Sequence, residues 1–123
     1  MITDLFLKVL AKEGVAPIVS WANGDAHVAA TWNSYINVTP DRRLLIPAAG
    51  MRTTESNVDV NNRIKMVFGS KEIKGMHGMG AGFALEGTAR FLDEGPEFAT
   101  MKEKFPFLNR VLEVTVTKLT QTL

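Results

Sequence analysis

Two short segments concentrate side chains suited to binding. Thr31-Trp32-Asn33-Ser34-Tyr35 places hydroxyls, an amide and two large aromatics at the end of an apolar run. Thr31, Asn33 and Ser34 can hold a polar group while Trp32 or Tyr35 offers an aromatic surface. The alternative is a strand end whose hydroxyls satisfy a turn and whose tryptophan fills the core. The second segment is Ile46-Pro47-Ala48-Ala49-Gly50-Met51-Arg52-Thr53-Thr54. Its small residues let backbone approach a flat ligand, and its exposed amides can bond to that ligand's polar edge. A guanidinium, two hydroxyls and a helix N-terminus follow at once, which together suit a phosphate. The alternative is a plain threonine cap with Arg52 in solvent. Taken together, the two segments fit a phosphorylated planar ligand.

Other chemistries find little support. His27 and His77 belong to different predicted elements, and the chain has no cysteine, so no metal site, disulfide or thiol nucleophile is expected. No nucleophile elbow or Walker loop occurs, and no side chain stands out as a catalytic residue. Gly78, Gly80 and Gly82 superficially resemble a phosphate loop, but a strand follows them. Fourteen Lys and Arg against thirteen Asp and Glu leave a net charge of +1, too weak a field for general nucleic-acid binding. Apolar runs are too short to span a membrane, and Met1-Ile2-Thr3-Asp4 lacks the flank of a signal peptide. These features predict a cytoplasmic protein with neither a nucleic acid nor a membrane as partner.

The elements that must position the two segments follow from periodicity. At 123 residues, with 46% hydrophobic and 22% charged, the chain (1–123) should form one domain with one core. Residues 3–12 pattern as an amphipathic helix capped at Thr3 or Asp4, with Gly14 placed to end it. Val15–Trp21 and His27–Asn33 read as strands around the hairpin signal Asn23-Gly24. Two more runs, Tyr35–Val38 and Arg43–Pro47, flank the turn Thr39-Pro40-Asp41. A short helix over Thr53–Val58 is followed by a strand over Ile64–Gly69. Lys71–Gly82 reads as a glycine-punctuated loop entering a strand, Phe83–Leu92. Pro96 opens a third helix that Pro106 stops, and Arg110–Thr117 alternates as a last strand. The tail Lys118–Leu123 receives no assignment. Roughly six strands with short links predict an all-β fold with short helices, an antiparallel barrel.

At these residues the chain resembles the small bacterial FMN-binding proteins of the pyridoxamine 5′-phosphate oxidase-like split β-barrel superfamily. The likeness runs in order through Glu13-Gly14-Val15, Thr31–Tyr35 and Pro47 with its small-residue loop to Gly50-Met51. It continues through Thr54-Glu55, Asn57-Val58, Gly80-x-Gly82-Phe83, Gly95-Pro96-Glu97-Phe98 and Gln121-Thr122-Leu123. It implies a six-stranded antiparallel split barrel and a homodimer with one non-covalent FMN per subunit near the interface. By position, Thr31, Ser34 and Thr54 would hold the phosphate. The backbone from Pro47 to Gly50 would line the ring, with Trp32 and Tyr35 close to it. Phe107 and Leu123 are the counterparts of an aromatic and a C-terminal leucine that family members place against the flavin, from the same subunit or its partner. Asn33, Met51 and Thr53 complete the expected cofactor set. Three departures stand out: Thr53 replaces the family's lysine, Ala30 its asparagine and Phe107 its tryptophan. The phosphate's countercharge would then come from Arg52, or from Lys71 or Lys74.

The resemblance implies electron transfer, exchanged with a redox partner protein or a small electron donor. The alternative is a flavoenzyme, either a flavin reductase or a pyridoxamine phosphate oxidase-like enzyme. The latter would demand a basic C-terminal segment for a substrate phosphate, which the residues up to Leu123 are not expected to supply. A non-redox binding module is weaker still, because it would call for a basic groove interleaved with aromatics, against a net charge of +1 and a single tyrosine.

Overall fold

The structure is a computed structural model, and residues 2–123 are described. Thr3 caps α1 (Asp4–Leu10) by accepting the Phe6 N–H at 3.2 Å, and the helix buries Phe6, Val9 and Leu10. It ends at Ala11 rather than at Gly14. β1 (Val15–Ala22) and β2 (Asp25–Trp32) form a hairpin turned by Asn23 and Gly24, both at positive φ. A 3₁₀ turn over Asn33–Tyr35 leads to β3 (Asn37–Val38) and β4 (Arg43–Ala48), so the strand expected from Tyr35 shrinks to two residues. α2 (Arg52–Val60) precedes β5 (Arg63–Lys74) and β6 (Met79–Leu92). α3 (Pro96–Lys104) and β7 (Arg110–Gln121) complete the chain. None of the described helices is long and apolar enough to cross a membrane.

The strands form one antiparallel sheet in the order β2-β1-β5-β6-β7-β4-β3. Edge strands β2 and β3 are near neighbours in sequence, joined only by the 3₁₀ turn, and they share no ladder. The sheet curls around one core without closing, which bears out the split-barrel class; the seventh strand is the two-residue β3. Two expectations are corrected. Lys71–Gly82 is no loop, because β5 and β6 continue to a tight tip where the Gly75 N–H donates to the Gly78 carbonyl at 2.7 Å. The unassigned tail extends β7 along β6 to Gln121. Glycines and lysines had masked ladder pairing that tertiary contact supplies.

β4 and the first five residues of β7, Arg110–Val114, are buried on both faces. Leu44, Ile46, Leu112 and Val114 face the barrel interior with Phe6, Ile18, Ile64, Met66 and Phe68. Phe6 meets Phe68 and Phe83 edge-on, with centroids 5.0 and 5.6 Å apart, so α1 seals one end. The alternate residues Leu45 and Val111 pack outward with Met101 and Leu108 of the α3 region. An ion-pair network ties α3 to the sheet. Arg43 bonds bidentately to Glu97 at 2.8 and 2.6 Å, and buried Glu113 accepts from Arg43 and Arg90 at 2.5 and 2.6 Å. These donors, Arg90 foremost, hold the Glu113 carboxyl below its ordinary range.

Candidate functional site

β2, β4 and the segment after α3 converge on an open cleft of about 360 Å³. Thr31, Trp32 and Tyr35 line one side, Pro47, Ala49, Gly50 and Met51 the other, and Phe107 the rim. Parts of the two binding segments read from the sequence therefore meet in one place, whereas Asn33, Ser34, Ala48, Arg52, Thr53 and Thr54 do not line it. Trp32 is 46% exposed, which overturns the alternative that it fills the barrel core. Tyr35 stacks at a tilt against Phe105 and Phe107, at 5.2 and 5.6 Å between centroids. Lys102 Nζ donates to the carbonyls of Pro106 and Leu108 at 2.8 and 2.6 Å, fixing the turn that carries Phe107. The result is a wall of half-exposed aromatic surface.

Opposite that wall lies an unusual stretch of backbone. Asn109 N–H donates to the Ala48 carbonyl at 2.9 Å, Asn109 Nδ2 to that of Ala49 at 2.9 Å, and Arg110 Nη2 to that of Gly50 at 2.5 Å. The next carbonyl, Met51, accepts the Glu55 N–H at 2.9 Å inside the start of α2. By contrast, the N–H groups of residues 49–54 find no partner among the described residues. Residues 49–53 are exposed or half-buried, so these donors stand open at the surface, where an acceptor can reach them. Met51 turns the chain at φ 59°, ψ 33°, and caps α2 without a side-chain hydrogen bond, which goes against the alternative of a plain threonine cap. Within the first turn, Thr54 is fully buried and its Oγ1 has no hydrogen-bond partner. A buried lone hydroxyl beside a positive helix end suits an anion with several oxygens.

The remaining predicted residues are placed as follows. Arg52 is 71% exposed and pairs with Glu55 at 3.2 Å, and Thr53 is exposed beside it. Ala48 is buried at the end of β4. Asn33 is buried beneath the 3₁₀ turn, where its Nδ2 donates to the Lys12 carbonyl at 2.9 Å and its N–H to that of Gly14 at 2.8 Å. Ser34 Oγ donates to Glu13 Oε2 at 2.6 Å, and its N–H to Glu13 Oε1 at 3.2 Å, so its hydroxyl faces a carboxylate. That hydroxyl is the chief reason the Glu13 carboxyl is held below its ordinary value. Lys71 and Lys74 stand on β5 and do not line the cleft. Within its own chain Leu123 lies along the β5–β6 hairpin, where its carbonyl accepts from Gly82 N–H at 3.3 Å and Gln121 Nε2 at 3.0 Å. Leu108 is buried in the outer cluster, whereas Met76, Met79 and Phe107 are exposed.

Sequence reasoning missed Asn109 and Arg110. They sit at the start of an ordinary alternating strand, and only the β4–β7 register, which sets Ala48 opposite Arg110, brings them to the loop. Arg110 is 7% exposed, 2.9 Å from Glu55 Oε2 at Nε without hydrogen-bond alignment, and over the Phe91 ring at 5.3 Å.

Comparison with known proteins agrees with this fold. Residues 2–123 match the family model described as pyridoxamine 5′-phosphate oxidase. An FMN-binding protein of Nitratidesulfovibrio vulgaris (strain DSM 19637 / Miyazaki F) is 37% identical over 123 residues, covering the whole of both chains. Among solved structures, Group A Streptococcus HupZ superposes with a TM-score of 0.81 at 17% identity, covering 98% of this chain and 94% of that one. An FAD binding protein from Mycobacterium smegmatis gives 0.69 at 15% identity, covering 99% and 93%. At such identities these two establish the shared fold only.

Proposed function

We propose, for a chain that belongs to the pyridoxamine 5′-phosphate oxidase family, that it is a flavoprotein which binds FMN and exchanges electrons through it. The observation that carries this reading is the run of unpaired amides at residues 49–54 beside the buried, unpartnered Thr54 hydroxyl. The residues fit the cofactor's two polar parts. The first turn of α2, with Thr54 and Thr31, would hold the phosphate, supported by the helix dipole and by Arg52. Ala49, Gly50 and Met51 would meet the polar edge of the ring, while Trp32, Tyr35 and Phe107 supply apolar contact. The whole-length relative named for FMN favours FMN over a larger flavin nucleotide.

When bound, FMN supplies reversible one- and two-electron chemistry. The protein's part is to bind it and leave an edge near the surface. Half-exposed Trp32 and Phe107 on the cleft rim support exchange with an external partner, in keeping with electron transfer. The same exposed apolar residues support a homodimer that covers part of the rim. The absorbance spectrum of the purified protein tests the central reading. Oxidised-flavin bands and released FMN are expected. A colourless protein that takes up no added FMN overturns it.

A further inference from the structure

We propose that Asn109 and Arg110 are positioning residues that keep the 48–51 loop turned donor-outward, so that the cleft accepts only the hydrogen-bond-accepting edge of its ligand. This rests on the flavin reading above and deepens it. In a trans peptide the carbonyl and the following N–H point in opposite directions. The carbonyls of Ala48, Ala49 and Gly50 are all held by Asn109 and Arg110. The N–H groups of Ala49, Gly50 and Met51 therefore point the other way. Those three residues line the cleft, whereas Asn109 and Arg110 do not. The loop is thus a strip with acceptors tied down behind and donors displayed in front.

The clamp has backing of its own. Arg110 is buried between the Phe91 ring and the Glu55 carboxylate, so its guanidinium is held in place before any ligand arrives. Its positive charge lies behind the donor strip, though Glu55 offsets part of it. With three small residues in the loop, free rotation of the peptides would otherwise let carbonyls face the cleft and repel an acceptor edge. A ring carbonyl or unprotonated ring nitrogen finds donors along this strip, and a ring N–H finds no free carbonyl of Ala48, Ala49 or Gly50 there. Because a flavin's accepting edge gains electron density on reduction, fixed donors there favour the reduced form.

The isosteric change Asn109→Asp tests the idea, since it replaces the Nδ2 donor by an oxygen facing the Ala49 carbonyl. Backbone order parameters for Ala49, Gly50 and Met51 in ligand-free protein are expected to fall from about 0.85 to below about 0.6. FMN affinity should drop about three- to tenfold, the scale of one hydrogen bond, and the flavin midpoint potential should move negative. Arg110→Met should act in the same direction, with Arg110→Lys recovering part of the loss. A rigid loop in Asn109→Asp would overturn the clamp. A loosened loop with unchanged FMN affinity and potential would overturn the positioning role. If the wild-type protein takes up no FMN, the flavin reading fails, and the order parameters still decide whether the clamp exists.

Discussion

The Thr54 hydroxyl is the most informative single group in the molecule. Burying a hydroxyl without a partner opposes folding by roughly 1–3 kcal/mol, and an acceptor arriving from outside would relieve that cost. Thr54→Val should therefore raise the stability of the ligand-free protein by about 1 kcal/mol while weakening FMN binding about tenfold. Thermal melts and flavin titration measure the two effects, and a loss of both stability and affinity would mark Thr54 as structural. Arg52 presents the opposite case. Exposed and paired with Glu55 along the helix, it contributes a screened attraction. Arg52→Ala should weaken FMN binding no more than about threefold at low salt, with the difference vanishing near 1 M. Equal affinities at low salt would remove Arg52 from the phosphate site. Thr31, Thr54 and Arg52 could all be picked out in the sequence because hydroxyls and a cation before a helix have few other uses. Asn109 and Arg110 could not, because their role depends on which carbonyls lie across the ladder.

Among the elements, β6 bears most of the register. Its pairing with β7 shifts between Glu86 and Gly87, and a Cβ on Gly87 would come within 2.6 Å of the Thr115 carbonyl oxygen and 3.0 Å of Val114 Cγ1. Glycine is required there by close approach of the neighbouring strand, not by a left-handed turn. Gly87→Ala should cost about 2 kcal/mol or more in chemical denaturation, through displacement of β7. An unchanged midpoint would show that the strand slides to make room. β7 also starts at Arg110, directly after Asn109, so the bulge helps set the register that reaches the loop. The strand over residues 71–74 and the start of β6 were unreadable from sequence for a physical reason. Exposed two-stranded extensions need only backbone pairing, which leaves no hydrophobic alternation to detect.

For the whole molecule, acid is the informative perturbation. Glu113 is held below its ordinary range by Arg90 and Arg43, and Asp41 is held down to about 2 by Arg43 and Thr39. Both are depressed in the folded state, so the stability they confer is complete above the carboxylates' ordinary unfolded values. It is lost as pH falls from those values through the folded ones. Denaturation midpoints should therefore be flat above about pH 5 and decline steadily from about pH 4 towards pH 2. Replacing Glu113 by Gln should flatten that decline while lowering stability at neutral pH, since two arginines lose their shared acceptor. A wild-type acid limb that survives intact in Glu113→Gln would place the effect elsewhere.

By itself the sequence determined the fold class, the two segments that meet at the cleft and the chemistry they suit. Each of these rests on local pattern, whether alternation, turn residues or a hydroxyl-rich helix start. Only the tertiary structure decided which way the loop faces, that Ser34 gives its hydroxyl to Glu13, and that Leu123 lies along the β5–β6 hairpin. Those facts depend on strand register and on partners 21 to 60 residues away, as in the Ser34–Glu13 and Asn109–Ala49 bonds. No local signal encodes such pairings, because a side chain's hydrogen-bonding capacity is fixed by its type while its partner is chosen by the fold.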